Sequence, residues 1–142
     1  MEKVINNAEQ IDLSKTNILE ITKNAWDFGH WVALFYTNDS RTEVEFFDSY
    51  GFAPDEELNY AKYDNQPFLK EMIDNSKLKF IYNKSKLQVF KEDINTCGRW
   101  TAVRIAMRNT PLQQFTSLFK NSGSKNGDWF VSALTYLFTL NN

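Results

Sequence analysis

Short runs of β-branched and aromatic residues dominate the first part of the chain, and this pattern is typical of strands. Five such runs occur, at Ile18–Thr22, His30–Thr37, Thr42–Ser49, Leu78–Tyr82 and Leu87–Phe90. The second and third runs are separated only by residues Asn38 to Arg41, which have the composition of a turn. These two runs therefore predict a β-hairpin.

Helical patterns are concentrated in the last third of the chain. Apolar residues recur at helical spacing from Cys97 onward, and Asn95 or Thr96 is available as the N-cap. Pro111 begins a second helical segment, and Asp128–Leu140 forms a third. The pattern predicts three helices in this region.

Two further helices are predicted earlier, one beginning at Pro54 and one over Pro67–Asn75. The polar stretch Asn121–Asp128, which holds two glycines, is predicted to be a loop. A run of strands followed mostly by helices is the arrangement of the α+β class. We therefore expect a central, mostly antiparallel sheet flanked by helices.

Composition indicates one ordinary domain. The chain has 142 residues, of which 42% are hydrophobic, and we interpret 1–142 as a single domain. Trp129–Leu140 is its longest apolar stretch and falls short of the roughly 20 residues that span a bilayer, and residues 1–15 lack the apolar block of a secretory signal. We expect an intracellular or virion-internal protein that is not secreted.

Charge gives no indication of a partner. The 16 basic and 18 acidic residues leave a net charge of −2, so no overall positive field is available to attract nucleic acid or an anionic membrane. We expect no membrane partner and no nucleic-acid partner, although the small basic cluster at Lys84, Lys86 and Lys91 leaves local nucleic-acid binding open. Arg104 and Arg108 are interpreted as a surface pair.

Metal chemistry is disfavoured by the scarcity of soft ligands. Cys97 is the single cysteine and His30 the single histidine, so an intrachain disulfide and a multi-thiolate metal site are both excluded. We expect no metal and no cofactor. A disulfide-tethered cofactor would have to bond to Cys97 itself.

The predicted hairpin brings His30 close to a carboxylate. A turn centred between Asp39 and Ser40 places His30 opposite Ser49 and Asp48 opposite Trp31, whereas a turn centred at Asp39 places His30 directly opposite Asp48. Opposed Cβ atoms lie about 4.5–5.5 Å apart, so in either register the carboxylate could accept a hydrogen bond from Nδ1. This is the orienting half of a catalytic triad.

The only thiol lies where polar sequence gives way to a helix. A cysteine in the first turn of a helix feels the positive end of the helix dipole, and an imidazolium beside it would lower the thiol pKa further, into the range of about 3.5–7.5. Gly98 follows Cys97 and removes side-chain bulk, which would allow a substrate backbone to approach.

Taken together, these residues resemble the adenain-like cysteine proteases, the clan of the adenovirus maturation protease and the SUMO-processing proteases. The resemblance is greatest to the capsid-maturation proteases of large DNA viruses, virophages and related transposons. It spans residues 29 to 100, and the motifs that carry it, in order, are Gly29-His30-Trp31-Val32-Ala33-Leu34, Phe46-Phe47-Asp48-Ser49-Tyr50-Gly51, Leu87-Gln88 and Thr96-Cys97-Gly98.

The resemblance implies a papain-like core with the catalytic order His, Asp, Cys. It assigns the nucleophile to Cys97, the general base and acid to His30, and the orientation of the imidazole to Asp48. Gln88 resembles the side-chain oxyanion donor that acts with the backbone N–H of Cys97. Nine positions separate Gln88 from Cys97, a longer spacing than is usual, and Asn95 is the alternative donor.

Trp31 resembles the tryptophan that covers the substrate cleft and, with Gly98, admits only a slim substrate backbone. The implied function is an endopeptidase that cleaves viral structural precursors, such as those of capsid proteins, after small residues such as glycine during virion maturation. The location would be the virion or the host-cell cytoplasm. Two alternatives share the chemistry, an isopeptidase for ubiquitin-like modifiers and an acyltransferase.

Overall fold

The computed structural model describes residues 2–4, 17–22, 29–56, 59, 67–91, 94–120 and 124–140. The described strands, in chain order, are β1 Glu2–Val4, β2 Asn17–Thr22, β3 Gly29–Tyr36, β4 Glu43–Phe47 and β5 Lys79–Tyr82. The described helices are α1 Phe68–Ser76, α2 Cys97–Ala106, α3 Leu112–Lys120 and α4 Ser124–Leu140. The α+β class is confirmed.

The sheet is mixed, so the expectation of a mostly antiparallel sheet is wrong in this respect. Its strands follow the order β1-β2-β3-β4-β5; β3 pairs antiparallel with β2 and β4, whereas the pairs β1/β2 and β4/β5 are parallel. The parallel pair β4/β5 arises because the chain between these strands contains helix α1, the kind of crossover that parallel neighbours need. The three strands β3 to β5 and the four helices position the site.

The hairpin of β3 and β4 is confirmed, but neither predicted register is correct. Ala33 pairs with Phe47 and Tyr36 pairs with Val44, which centres the turn on Ser40. Residues 37 to 42 join the two strands, so the connection has six residues rather than two, and Arg41 takes a positive φ of 55° within it. The pairing ends at Ala33 and Phe47, so His30 and Asp48 both lie beyond the paired residues of the hairpin.

Two predicted elements are absent from the described residues. Leu87–Phe90 forms no strand, because its backbone donors bond elsewhere: the amides of Leu87 and Gln88 both reach the Ser49 carbonyl, at 2.9 and 3.0 Å, and the Val89 amide reaches Asp128. Pro54 and Asp55 form a turn and Glu56 has a 3-10 conformation, so these residues do not begin an α-helix. Glu57, the last residue of that predicted start, lies outside the described residues.

One acidic residue of that turn, Asp55, forms a hydrogen bond with helix α1. Asp55 has a positive φ of 65°, and its carboxylate accepts from the Lys70 amide in the first turn of α1 at 2.6 Å. Helix α1 itself is confirmed, since it occupies nearly the same residues as the predicted Pro67–Asn75.

Helix α4 begins at Ser124, so part of the predicted loop Asn121–Asp128 is helical. Gly127 suggested a loop, but it has a packing role: a Cβ at this position would lie 2.9 Å from the Trp100 indole. The glycine therefore allows α4 to approach α2 closely.

Buried side chains fill both sides of the sheet. One cluster joins Ala33, Phe35 and Phe47 to the C-terminal helices through Trp100 and Phe115. The other joins the alternate strand residues to α1, and its members are Val32, Leu34, Val44, Phe46, Leu69 and Ile73. Because β3 is covered on both faces, its sequence is a continuous apolar run.

Arg104 is buried, so its interpretation as a surface residue is wrong. It is 1% exposed, and its guanidinium donates to both carboxylate oxygens of Glu45 on β4 at 2.7 Å each. A third bond reaches the Met107 carbonyl, and the Phe115 ring centroid lies 5.0 Å from the guanidinium carbon. The pair fixes α2 to the sheet.

Among the helices of the described chain, none has the length and apolar character needed to span a membrane.

Candidate active site

The three residues of the predicted triad all lie at the ends of elements. His30 is the second residue of β3, Asp48 follows the last residue of β4, and Cys97 is the first residue of α2. Because β3 and β4 are antiparallel, the start of one and the end of the other lie at the same edge of the sheet. A hydrogen bond from Thr101 Oγ1 to the Trp31 carbonyl, 3.1 Å long, holds α2 beside β3 at this edge.

The His30 imidazole contacts the Asp48 carboxylate. Nε2 lies 2.9 Å from Oδ1, and both side chains are buried. The predicted contact therefore forms, although it uses Nε2 rather than Nδ1 and is diagonal rather than directly cross-strand. Since a carboxylate accepts, Nε2 carries the proton, which leaves Nδ1 without it in the neutral ring.

Asp48 is held rigidly by the turn that follows it. Its Oδ1 also accepts from the Tyr50 amide at 2.6 Å, and its carbonyl accepts from the Gly51 amide and from Asn83 Nδ2 at 3.0 and 2.8 Å. Gly51 has a φ of 79°, and a Cβ there would lie 2.9 Å from the Ser85 carbonyl carbon. The turn therefore requires a glycine at this position.

Opposing effects act on the Cys97 thiol, which is 8% exposed. Burial alone would raise its pKa, but a hydrogen bond with the His30 side chain, further bonds with the backbone of Trp31 and Gly98, and the charge of His30 together outweigh burial. The pKa of Cys97 is therefore lowered from its ordinary value. Because Nε2 faces Asp48, Nδ1 is the ring nitrogen left for the thiol.

Asp128 fixes the start of α2, and sequence reasoning missed it. One carboxylate oxygen accepts from Thr96 Oγ1 at 2.5 Å and from the Trp100 indole N–H at 2.8 Å, and the other accepts from the Val89 amide at 2.9 Å. Thr96 is the N-cap residue, but its hydroxyl bonds to Asp128 rather than to its own helix. No signal in the sequence pairs residues 28 to 39 positions apart in this way.

Gln88 is fully buried, with both of its amide hydrogens donated inside the protein. Nε2 donates to the Tyr50 hydroxyl at 3.2 Å and to the Ile94 carbonyl at 3.1 Å, while Oε1 accepts from Ser49 Oγ at 2.7 Å. Asn95, the alternative donor, is exposed. The structure thus places the Gln88 side chain in contact with Tyr50, whose own ring contacts His30 of the predicted triad.

Trp31 and Gly98 lie against each other. A Cβ on Gly98 would lie 3.3 Å from the Trp31 Cδ1 atom, closer than side chains usually approach. The missing side chain therefore makes room for the indole beside Cys97.

Tyr50 is a second residue that sequence reasoning missed. Its ring stacks on the His30 imidazole, with centroids 4.7 Å apart and an angle of 20° between the planes. Burial, with the nearby charges of Cys97, Asp48 and Asp128, raises the pKa of Tyr50 to about 12, so its hydroxyl remains protonated at neutral pH. The sequence holds no clear signal for this contact, since β4 ends at Phe47 and Tyr50 lies in the turn that follows it.

Nowhere in the described ranges do three or more His, Cys, Asp or Glu side chains gather as they would around a metal ion. The site is instead a buried thiol, imidazole and carboxylate in one line of contacts. Such a line can hold a thiolate beside an imidazolium and can transfer a proton between them.

Comparison with known proteins shows a viral relative. The chain matches no family model. It is similar to a protein of Sputnik virophage named uncharacterized protein V9, with 35% identity over 105 residues. The aligned part covers 69% of this chain and 57% of that protein, so the chain spans little more than half of the length of its relative. The protein is thus homologous to a virophage protein.

Proposed function

We propose that the protein is a cysteine endopeptidase with Cys97 as nucleophile, His30 as general base and acid, and Asp48 as the residue that orients the imidazole. One observation carries the proposal: His30 contacts the only thiol of the chain with its side chain and the buried Asp48 carboxylate with Nε2, at 2.9 Å. A structural cysteine in an apolar core would have a raised pKa, whereas these contacts lower that of Cys97.

The reaction would be acyl transfer to sulfur. The Cys97 thiolate attacks the scissile carbonyl carbon, and a C–S bond forms as the carbonyl π electrons move to oxygen. The tetrahedral intermediate collapses, the C–N bond breaks, and the imidazolium of His30 gives its Nδ1 proton to the departing amine. His30 then takes a proton from water, which attacks the thioester and releases the carboxylate product and the thiolate.

The negatively charged oxygen of the tetrahedral intermediate must be stabilised by hydrogen-bond donors. The backbone N–H of Cys97, at the positive end of α2, is one. Gln88, the donor that the family resemblance suggests, would reach the oxyanion only if its carboxamide left Tyr50 or Ile94, because both of its hydrogens are donated within the protein.

We infer that the substrates are viral structural precursors, cut after small residues such as glycine in the virion or the host-cell cytoplasm. Two observations support this substrate class. The Trp31 indole against Gly98 narrows the space beside the thiol, which favours a residue without a bulky side chain. The homology to a virophage protein supports a viral role.

Co-expression with the structural proteins encoded by the same genome tests the proposal. Intact mass spectrometry should show new fragments of a capsid protein with the unmodified chain and only full-length capsid protein with Cys97→Ala. Ser117→Ala, an exposed change on α3, is the matched control and should cleave normally. Identical fragments with and without Cys97 would refute the proposal.

Two further reagents test the chemistry that the site shares with other enzymes. Cleavage of a ubiquitin-like conjugate with no capsid fragment would identify an isopeptidase. Acetylation of Cys97 by acetyl-CoA, again with no capsid fragment, would identify an acyltransferase. Either result would contradict the proposed substrate.

A further inference from the structure

We infer that Tyr50 is a positioning residue that holds the His30 imidazole in the plane from which it reaches both Cys97 and Asp48, and that Gln88 acts on the site through Tyr50. This inference rests on the proposed function, because it concerns how the thiol and the imidazole stay aligned. It gives Gln88 a role different from direct contact with the substrate.

The ring of Tyr50 covers one face of the imidazole. The centroid distance of 4.7 Å and the small angle of 20° mean that the two rings are in near-parallel contact. The bonds to Asp48 and Cys97 hold the edge of the imidazole, but the ring keeps some freedom to rotate about its Cβ–Cγ bond. A flat group against its face removes this freedom.

The backbone of Tyr50 reinforces the same arrangement. Its amide donates to the Asp48 oxygen that also contacts His30, at 2.6 Å. The imidazole and the tyrosine amide therefore donate to the same oxygen of the Asp48 carboxylate. A shift of Tyr50 would move the group on which His30 depends.

The hydroxyl of Tyr50 is held by Gln88. The carboxamide of Gln88 is itself fixed at two points, by Ser49 Oγ at 2.7 Å and by the Ile94 carbonyl at 3.1 Å, and its remaining N–H donates to the tyrosine oxygen at 3.2 Å. Gln88 is fully buried, and the hydrogen bonds of its side chain run to Tyr50, Ser49 and Ile94 rather than to Cys97 or His30. Through its bond to the Tyr50 hydroxyl, Gln88 fixes the position of the ring that covers His30.

Alkylation of Cys97 by iodoacetamide separates this role from that of an oxyanion donor. The reaction displaces iodide at a saturated carbon and forms no oxyanion, so its rate reports the thiolate and its imidazole partner alone. An independent oxyanion donor would lower peptide turnover about 10²–10³-fold when removed and would leave alkylation unchanged. A residue that acts through Tyr50 and His30 would lower both.

The experiment measures the alkylation rate across pH roughly 5 to 9 for Tyr50→Phe, Gln88→Met and the double variant, by intact mass. Each single variant removes the link between residues 50 and 88. We expect Tyr50→Phe to slow alkylation at pH 6 about three- to tenfold, the range typical of one lost hydrogen bond. Gln88→Met also loses the bonds to Ser49 and Ile94, so it should slow alkylation at least as much. The double variant should be no slower than the slower single variant, because one link is lost only once. Tyr50→Leu, which also removes the flat face, should be slower than Tyr50→Phe.

Matched controls are available in the same chain. Tyr82→Phe removes a hydroxyl from a tyrosine on β5, and Gln114→Ala removes a carboxamide from the exposed side of α3. Both should alkylate at the unmodified rate. If Gln88→Met does not fold, as judged by its circular dichroism, Tyr50→Phe measured against Tyr82→Phe decides the inference alone.

The outcomes distinguish the inference from the proposed function. If Gln88→Met and Tyr50→Phe alkylate at the unmodified rate while His30→Ala is slow, the inference is wrong and the enzyme proposal stands. Full additivity in the double variant would also overturn the inference. If His30→Ala too alkylates at the unmodified rate, the proposed function itself fails.

Discussion

At the residue scale, the behaviour of Cys97 depends on a competition between burial and hydrogen bonding. A thiol that is 8% exposed would ordinarily be a small hydrophobic group with a raised pKa. The pKa of Cys97 is lowered instead, because His30 and two backbone groups stabilise the thiolate. The chemistry therefore depends on neighbours that are themselves fixed in place.

Asp48 fixes His30, and substitutions at this position should show how much of its effect is charge. Asp48→Asn keeps an oxygen that can accept from His30 Nε2 and from the Tyr50 amide, whereas Asp48→Ala removes the acceptor and leaves both donors buried. We expect alkylation of Cys97 at pH 6 to slow about tenfold in the first variant and about a hundredfold in the second. Asp74→Asn, an exposed residue of α1, is the control. Equal rates for both Asp48 variants would show that the acceptor is irrelevant.

The pairing of His30 with Asp48 could be predicted from the sequence because both residues lie on one hairpin. The details could not. The turn is centred on Ser40, rather than at Asp39 or between Asp39 and Ser40, and this shifts every cross-strand pair, so neither predicted register describes how the two residues meet.

At the element scale, a single carboxylate from α4 fixes the start of α2. Asp128 accepts three hydrogen bonds, from residues immediately before α2, within α2 and in the preceding loop. It is 7% exposed, so its removal would leave Thr96, Trp100 and the Val89 amide without acceptors in the interior.

Asp128→Ala should therefore lower the free energy of unfolding by about 3 kcal/mol, measured by urea denaturation. It should also slow alkylation of Cys97, because Thr96 directly precedes the thiol. Asp74→Ala is the matched control, since its ion pair with Lys70 is solvent-exposed and should give no measurable change. An Asp128→Ala variant as stable as the unmodified chain would contradict the role assigned to this residue.

Most elements could be predicted from local patterns, because the apolar period and the turn residues act over short distances. The strands from β2 to β5 and helix α1 lie close to their predicted positions. The errors occurred where distant residues decide: Asp128 accepts the amide of a predicted strand, and Trp100 explains the glycine inside α4.

At the scale of the whole molecule, a buried ion pair joins the helical layer to the sheet. Arg104 and Glu45 are each no more than 1% exposed, and two hydrogen bonds of 2.7 Å connect them. Breaking one partner leaves the other charge buried, whereas replacing both by apolar residues removes the need for pairing.

Arg104→Met should therefore destabilise the fold by about 3–5 kcal/mol, and the double variant Glu45→Leu, Arg104→Met should recover most of the loss. Urea denaturation of the three proteins measures both effects. Arg108→Met, one turn further along the chain and exposed, is the matched control. A double variant no more stable than Arg104→Met would mean that the guanidinium is needed for its bond to the Met107 carbonyl rather than for the ion pair.

The sheet-plus-helices class could be predicted, since it needs only the order of the elements. The burial of Arg104 could not, because its partner lies 59 positions away on another element. Charged residues at helical spacing are usually on the surface, and only the tertiary contact reveals this exception.

The pH dependence of Cys97 alkylation in the unmodified chain and in His30→Ala tests the central claim most directly. The rate should rise as pH passes the thiol pKa, and the lowered pKa places this rise below the pH at which an ordinary thiol ionises. Removing His30 leaves burial as the dominant effect, so the rise should move to higher pH. Coincident curves for the two proteins, both at the position of an ordinary thiol, would contradict the account.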